Sequence, residues 1–446
     1  MGLGLFGGGA GAARFFAEQG HDVRVTDLRS REELAPALGD LEDLGLEYHL
    51  GGHPENLFRD ADLVVVNPAV RPGNRLVALA RESGAKLTTE INLVFELAAA
   101  PIVGVTGSNG KSTVVAMLAD CLRFGGREVL VGGNLGGSLL GAVGGFSPQG
   151  LIVLELSSFQ LARLEWIRRS PHLAICTNVT PNHLDWHPDF ADYAGAKENI
   201  TRFQTADDFL VVNADCAVCS GWAARSRARV GRFSSRGRPP APAAGIENGE
   251  LVVDLDGDAR VVMRGDELRV PGGHNLANAL AVALGAGLLG LSGGSARRAL
   301  AGYRGLPHRL EFIDRDRGVS YWDDSIATTP EAAMAALEGF DCPLVLIAGG
   351  SDKGLDFEEF GRLAAERCDV VVVTGRTAAA IRAAVEKAGG ALVLGAENFD
   401  AAFRLAAENA RPGGAVLLSP ASASFDEFPN FAARGERFRR LVQELT

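Results

Sequence analysis

The stretch Gly104-Val-Thr-Gly-Ser-Asn-Gly-Lys-Ser-Thr113 constrains this chain more than any other. It follows Pro101-Ile-Val-Gly-Val, an apolar run that reads as a buried strand, and precedes residues 114–123, whose apolar positions recur at helical spacing. Strand, glycine turn, Lys-Ser and helix make a phosphate cradle. Backbone N–H groups at a helix N-terminus face the anion, and the lysine adds a mobile positive charge. The hydroxyl after the lysine is placed to take Mg²⁺. Gly107, Ser108, Asn109, Gly110, Lys111, Ser112 and Thr113 are therefore the expected contacts of a nucleoside triphosphate. Val105 stands where the strict pattern G-x-x-x-x-G-K-[ST] has its first glycine, which leaves the shorter Gly107-x-x-Gly110-Lys111-Ser112.

Length and charge narrow the class. At 446 residues the chain exceeds one ordinary core, so two or three domains are expected. A formal net charge of −11 argues against nucleic acid or an anionic membrane as main partner. No apolar run approaches the roughly 20 residues that span a bilayer, and no basic region precedes an apolar one at the N-terminus. A cytoplasmic monomer without a signal peptide is expected. The six cysteines are scattered, which suits a reducing compartment. Cys216 and Cys219 form one C-x-x-C with no second pair at zinc-ribbon spacing, so they read as small surface or core residues.

The chain opens on Gly2-Leu-Gly4-Leu-Phe-Gly7-Gly-Gly-Ala-Gly11. Gly2, Gly4 and Gly7 fit G-x-G-x-x-G, and Asp27 follows about twenty residues on, at the end of a strand expected over 22–27. A strand belongs before such glycines, and here the chain starts on them. A helix from Ala12, a further strand over 61–67, a turn at Pro68 and a helix from Arg75 complete a small α/β unit over residues 1–89. The glycine loop can hold a diphosphate and Asp27 a ribose or base. NAD and a UDP-type ligand fit equally at this point.

Residues 90–304 carry the phosphate loop and several strand ends bearing polar groups. Asn134 follows the expected strand Glu128-Val-Leu-Val, Glu155 ends Leu151-Ile-Val-Leu, and Asn178 and His183 follow Leu173-Ala-Ile-Cys. Ligands of open α/β sheets lie outside the carboxyl ends of the strands, so these side chains should converge over the phosphate loop. Glu155 reads as a Mg²⁺ ligand, since hard cations take carboxylate oxygen. Pro181 and Pro188 oppose a regular helix joining His183 to His187. His183 then reads as a ligand or orienting group and His187 as a surface residue. Lys197 lies in a helical stretch and by itself reads as a solvated lysine. Residues 225–250, rich in Arg, Ser, Pro and Gly, read as a surface excursion. Gly272-Gly-His274-Asn275-Leu-Ala-Asn278 opens an Ala/Leu-rich helix. Asn275 and Asn278 share one face and can read an adenine edge, or Asn275 can cap the helix.

Residues 305–446 open at Gly305-Leu-Pro-His308-Arg309, and strands expected over 344–348, 370–373 and 415–419 alternate with helices. Polar loops interrupt them at Asp323-Asp-Ser325, at 349–354 and at 419–431.

The phosphate loop, Glu155, Asn178 through His183, Lys197, His274-Asn275-x-x-Asn278, His308-Arg309, Asp324-Ser325 and Ser424 stand in the order found in Mur ligases. The chain resembles that family over essentially its whole length. The resemblance implies an α/β protein of three domains. These are a Rossmann-like UDP-sugar-binding unit over 1–89, a central P-loop ATPase with a mostly parallel sheet over 90–304, and a Rossmann-like C-terminal domain over 305–446 that closes on the amino acid. It makes the first glycine loop a diphosphate site, with Gly4, Leu5, Phe6, Asp27, Leu28 and Arg29 at the nucleotide sugar. It also implies that Lys197 is carbamylated by CO₂ and binds a second Mg²⁺ beside His183, the first lying on Ser112 and Glu155. Asn134 would orient phosphates or substrate, Asn275 and Asn278 would face the adenine of ATP, and Arg309 and Asp324 would contact its phosphates and ribose. Lys353, Ser424, Phe425 and Phe431 match positions that hold the incoming glutamate.

The implied reaction adds glutamate, the D-isomer favoured, to UDP-N-acetylmuramoyl-L-alanine in peptidoglycan precursor synthesis. A carboxylate cannot acylate an amine until one of its oxygens becomes a leaving group, so an acyl phosphate and ADP form first. Two anions must meet, and Lys111 and the two Mg²⁺ would offset their repulsion. Two departures from the family pattern stand out. Relatives read Asp-Ser-Lys-Ala-Thr-Asn where this chain reads Asp324-Ser-Ile326-Ala-Thr328-Thr329, and the first loop carries the extra run Gly7-Gly-Gly. The alternatives are the same ligation with L-glutamate, a folylpolyglutamate synthetase-like ligase, a non-catalytic nucleotide-binding switch and a dehydrogenase. Residues 1–89 count against the second. A dehydrogenase gives no reason for Lys111, Glu155 and Lys197 to occur together.

Overall fold

The computed structural model describes every residue except 185, 271, 353 and 446. The chain forms two compact units, Met1–Gly265 with Ala277–Leu300, and Asp266–Leu276 with Ala301–Thr446.

The first unit is dominated by a sheet that has nine strands among the described residues. Ile102–Thr106 lies between Leu173–Cys176 and Leu151–Glu155, all parallel, and each residue of the three is buried. Unbroken apolar runs of this kind belong inside a parallel sheet covered on both faces. Beyond Leu151–Glu155 comes Val129–Gly133 at one edge. On the other side Phe209–Asn213, Arg229–Ser234 and Ala243–Glu247 continue the parallel run, and Glu250–Asp254 and Ala259–Arg264 close it antiparallel. The neighbours of Ile102–Thr106 lead away on opposite sides, so the loop leaving its carboxyl end opens at a topological switch point. The segment 225–250 is corrected here. Its Arg and Pro residues suggested a surface excursion, but Arg229–Ser234 and Ala243–Glu247 are sheet strands with buried faces.

Near the N-terminus, Arg24–Asp27 pairs with Glu47–Leu50 and Leu63–Val65 with Lys86–Thr88, both parallel. The Gly2 N–H donates to Thr26 O (2.8 Å), the Met1 ammonium to Val65 O (2.9 Å) and the Asn67 N–H to Met1 O (3.0 Å). Residues 1–2 thus bond to both small sheets, where a strand was expected ahead of the glycines. The following helix, Gly8–Glu18, begins four residues before Ala12 and includes part of the glycine run.

The second unit holds a sheet with six strands among the described residues, in the order Glu311–Asp316, Val319–Asp323, Ala415–Leu418, Leu344–Gly349, Val370–Thr374, Leu392–Gly395. Only the first pairing is antiparallel. Val345, Val372 and Val416 meet Phe403 and Phe438 of the covering helices in its core. The hairpin 311–323 escaped the sequence reading because acids interrupt its apolar residues. No helix of the described residues is long and apolar enough to cross a membrane.

Gly133 ends its strand at φ +90°, and a Cβ there would lie 2.2 Å from the Glu155 carbonyl oxygen. Gly133→Ala is expected to cost about 2 kcal/mol or more. Urea unfolding measures it, and an unchanged midpoint would contradict this packing.

Candidate active site

The helix Lys111–Phe124 starts directly after the loop that leaves Ile102–Thr106. Gly107 has φ +154°, and a Cβ on it would meet Thr177 Oγ1 at 1.9 Å, so the position admits glycine alone. Residues after the neighbouring strand pin the loop. Asn178 Oδ1 accepts from the Asn109 N–H (3.0 Å), Asn178 O accepts from the Ser108 N–H (2.8 Å), and Thr177 Oγ1 donates to Asn109 O (2.5 Å). Ser108 Oγ reaches Thr180 O at 2.9 Å and the Tyr193 hydroxyl at 3.0 Å. Thr177, Thr180 and Tyr193 were missed as loop supports, since contacts made across strands leave no local pattern.

Two lysines converge on this loop. Lys111 Nζ donates to Gly107 O (3.1 Å) and Ser108 O (3.0 Å), and Lys197 Nζ donates to the same Gly107 O at 2.9 Å. Lys197 is 2% exposed and lies 4.8 Å from the Tyr193 ring centroid, which corrects its reading as a solvated side chain. Burial, and then the charge of Lys111, push its pKa down to about 7.

Glu155 is buried at the end of its strand. Its Oε2 accepts from Ser112 Oγ (2.6 Å) and its Oε1 from Asn134 Nδ2 (2.9 Å). A hydroxyl and a carboxylate oxygen are two ligands of the kind a hard divalent cation takes. Lys197, an amine, offers no such oxygen unless modified.

His183 is exposed, with φ +53°, and its ring lies 5.0 Å from Phe159 and 6.2 Å from Tyr193. Among the described residues from His183 to His187 none is helical, as the prolines require. His187 corrects a second expectation. It is 1% exposed, with Nδ1 2.6 Å from Asp192 Oδ2 and Nε2 2.9 Å from Ser158 Oγ, and so ties the 183–189 turn to two helix starts.

A cavity of about 820 Å³ lies between the N-terminal glycine loop and the central sheet, lined by Gly4, Phe6, Asn67, Asn134, Ser157 and Gln160 among others. Asn134 therefore borders this cavity while bonded to Glu155. Asp27 is buried beside it, and its carboxylate accepts from the Gly4 N–H (3.0 Å) and the Arg29 N–H (2.9 Å). Burial raises its pKa, but the N–H groups of Arg29 and Gly4 outweigh that and hold it below the usual carboxylate value. Leu5, Phe6, Leu28 and Arg29 are exposed, Phe6 at 87%.

Asn275 and Asn278 are buried in the helix Gly273–Leu288. Asn275 is its third residue, so it is not the cap. Asn278 lies against Gly110, its Oδ1 2.4 Å from where a Cβ would stand.

In the second unit Asp324 accepts from Ser419 Oγ (2.8 Å) and the Leu310 N–H (3.1 Å), and burial pushes its pKa up to about 7. Arg309 is exposed, Ser424 buried, and Phe425 and Phe431 exposed. Lys353 lies outside the described residues. Arg434, hidden in sequence by its arginine-rich helix Phe431–Gln443, is 2% exposed. It donates to Ser325 Oγ (2.9 Å) and Ser422 O (3.1 Å), joining two of the polar loops. Thr329, at the position where an amide was expected, caps the helix Pro330–Leu337. All six cysteines are free, and Cys219 is buried 3.2 Å from Cys176, while Cys216 is half-buried.

Family models bear on the whole of this architecture. The one described as Mur ligase MurD-like, N-terminal domain matches residues 1–89. Mur ligase middle domain matches 105–286, and Mur ligase, glutamate ligase domain matches 308–422. The chain is 39% identical over 437 residues to a Pelotomaculum thermopropionicum protein named UDP-N-acetylmuramoylalanine–D-glutamate ligase, covering 98% of this chain and 95% of that one. A Roseiflexus protein of the same name is 40% identical over 456 residues, covering 100% and 98%. Among solved structures, UDP-N-acetylmuramate-alanine ligase MurC from Thermotoga maritima superposes with a TM-score of 0.60 at 21% identity, over 100% of this chain and 98% of that one. MurF ligase from Thermotoga maritima, in complex with ADP, gives 0.55 at 19% identity, over 87% and 99%. With three such domain models in sequence and relatives of this identity along its length, the chain belongs to the Mur ligase family.

Proposed function

We propose that this chain is an ATP-dependent, ADP-forming amide ligase that adds D-glutamate to UDP-N-acetylmuramoyl-L-alanine, a step of peptidoglycan precursor synthesis in the cytoplasm. The observation that carries this reading is the chain of hydrogen bonds from Asn134 through Glu155 to Ser112, which runs from the wall of the N-terminal cavity to the phosphate loop. A nucleotide sugar in that cavity and a triphosphate on that loop would then meet across one carboxylate. The shared name of the relatives supports the substrate and the D-isomer. In this reading residues 1–89 bind the UDP-sugar, 90–304 the ATP and 305–446 the glutamate.

The substrate's carboxylate oxygen attacks the γ-phosphorus and ADP leaves. The glutamate amine then attacks the acyl carbon, loses a proton, and expels phosphate. Lys111 neutralises charge on the transferring phosphoryl group. Ser112 and Glu155 would hold Mg²⁺, which supplies Lewis-acid neutralisation of the phosphates when bound. Asn134 orients the reacting carboxylate. Asn275 and Asn278 bind the adenine, and Arg309 and Asp324 bind the nucleotide from the third domain. Gly4, Leu5, Phe6, Asp27, Leu28 and Arg29 take the UDP moiety, with exposed Phe6 and Leu28 free to cover a ring. Lys353, Ser424, Phe425 and Phe431 hold the glutamate. Lys197 is proposed to carry a carbamate. An amine whose pKa is about 7 is substantially neutral at physiological pH, and the neutral form is the one that adds CO₂. The carbamate would give the second metal site, beside His183, the oxygen that the bare amine lacks.

Phosphate release with the nucleotide sugar is expected to be at least tenfold faster with D-glutamate than with L-glutamate, by about 1.4 kcal/mol or more in the barrier. Equal rates would remove the stereochemical assignment, and Lys111→Ala should abolish release with the fold intact. Lys197→Ala should lose activity and regain part of it with added acetate, because a short carboxylate can replace the carbamate; a folded variant that acetate leaves inactive would count against the modification. The bare lysine also has a pH signature. Below pH 7 it is charged folded or unfolded, whereas between about 7 and the unfolded value of 10.5 only the unfolded chain binds the proton. In CO₂-free buffer stability should therefore gain a contribution rising with pH across that window, by at most about 1.4 kcal/mol per unit. Lys197→Met should lack this contribution in denaturant titrations at a series of pH values.

A further inference from the structure

A groove of about 1210 Å³ in the first unit runs between residues 72–81 and the segments 162–168 and 192–205. It shares no lining residue with the cavity beside Asn134 and none with the phosphate loop. Six arginines and three carboxylates line it, in a chain whose net charge is −11. The carboxylates are already engaged. Glu165 pairs with Arg202, Glu198 with Arg225 (2.6 Å) and Asp192 with His187 (2.6 Å). Arg81, Arg163, Arg168 and Arg227 have no carboxylate partner among the described residues.

Arg163 is the informative member. It is 7% exposed, its guanidinium lies 4.8 Å from the Trp166 ring centroid, and Nη2 donates to Val70 O at 2.7 Å. Its buried Nε has no hydrogen-bond partner among the described residues. A buried donor left unmade is costly, and a buried cation without a counter-charge more so. Burial first, and then the like charge of Arg81 in the same groove, lower its pKa. Nothing in the ligation chemistry uses this groove.

We infer that the groove is a binding site for a small multivalent anion, whose phosphoryl or carboxyl oxygens are clamped by Arg163 and Arg81 with Arg168 and Arg227 alongside. Guanidinium forks pair with such oxygens two at a time, which a solvated lysine patch does not.

The test is calorimetric titration of the full chain carrying Lys111→Ala, which weakens anion binding at the phosphate loop, with inorganic pyrophosphate in one arm and citrate in the other. Besides any pyrophosphate taken by the N-terminal glycine loop, one site is expected for at least one of them, and the arm that shows it names the oxygen chemistry. Adding Arg81→Ala and Arg168→Ala, both at exposed positions, should weaken that site at least tenfold. Absence of binding in both arms would overturn the assignment, and so would an affinity that the two arginine substitutions leave unchanged.

Discussion

Two cationic side chains reach one carbonyl oxygen. Lys111 and Lys197 both donate to Gly107 O, and much of the first unit serves to keep that contact in place. Like charges at this separation repel, more so where water is excluded. The conflict is eased by lowering the proton affinity of the buried member, which is the direction that burial and Lys111 impose on Lys197. Gly107 can offer its carbonyl because it lacks a Cβ against Thr177, and Thr177, Asn178 and Thr180 hold the loop from the neighbouring strand. A parallel sheet is suited to this, since its switch point sets two strand ends on either side of the loop.

Glu155 is the second junction. Buried carboxylates are costly unless hydrogen-bonded, and this one is bonded to Ser112 on the loop's helix and to Asn134 at the edge of the N-terminal cavity. A charge in that place joins the loop's helix to the cavity wall through side chains only. The same economy of buried charge marks the second unit, where Arg434 satisfies Ser325 and Ser422 and Asp324 is held by Ser419 and a backbone N–H.

The strand, glycine turn and helix over 102–124 were legible because such a turn depends on neighbours in sequence. Glycines, lysine and hydroxyl must follow one another, and apolar runs on both sides declare strand and helix. The parallel strands 102–106, 151–155 and 173–176 were legible for a similar reason, burial on both faces leaving them apolar up to the polar ends Thr106 and Glu155. The segment 225–250 was misread because its arginines and prolines mask strands whose buried faces are short. The hairpin 311–323 was hidden by interleaved acids.

Sequence by itself determined the α/β class and the glycine turn between the strand Ile102–Thr106 and the helix Lys111–Phe124, since these follow from periodicity and from residues adjacent along the chain. Only the tertiary structure decided which polar residues are buried. Lys197 and His187 read as solvated, and both are inside, because what surrounds them comes from strands and turns distant in sequence. A side chain's charge state and partners depend on the dielectric and the donors around it, and those are properties of the folded packing that no local pattern encodes.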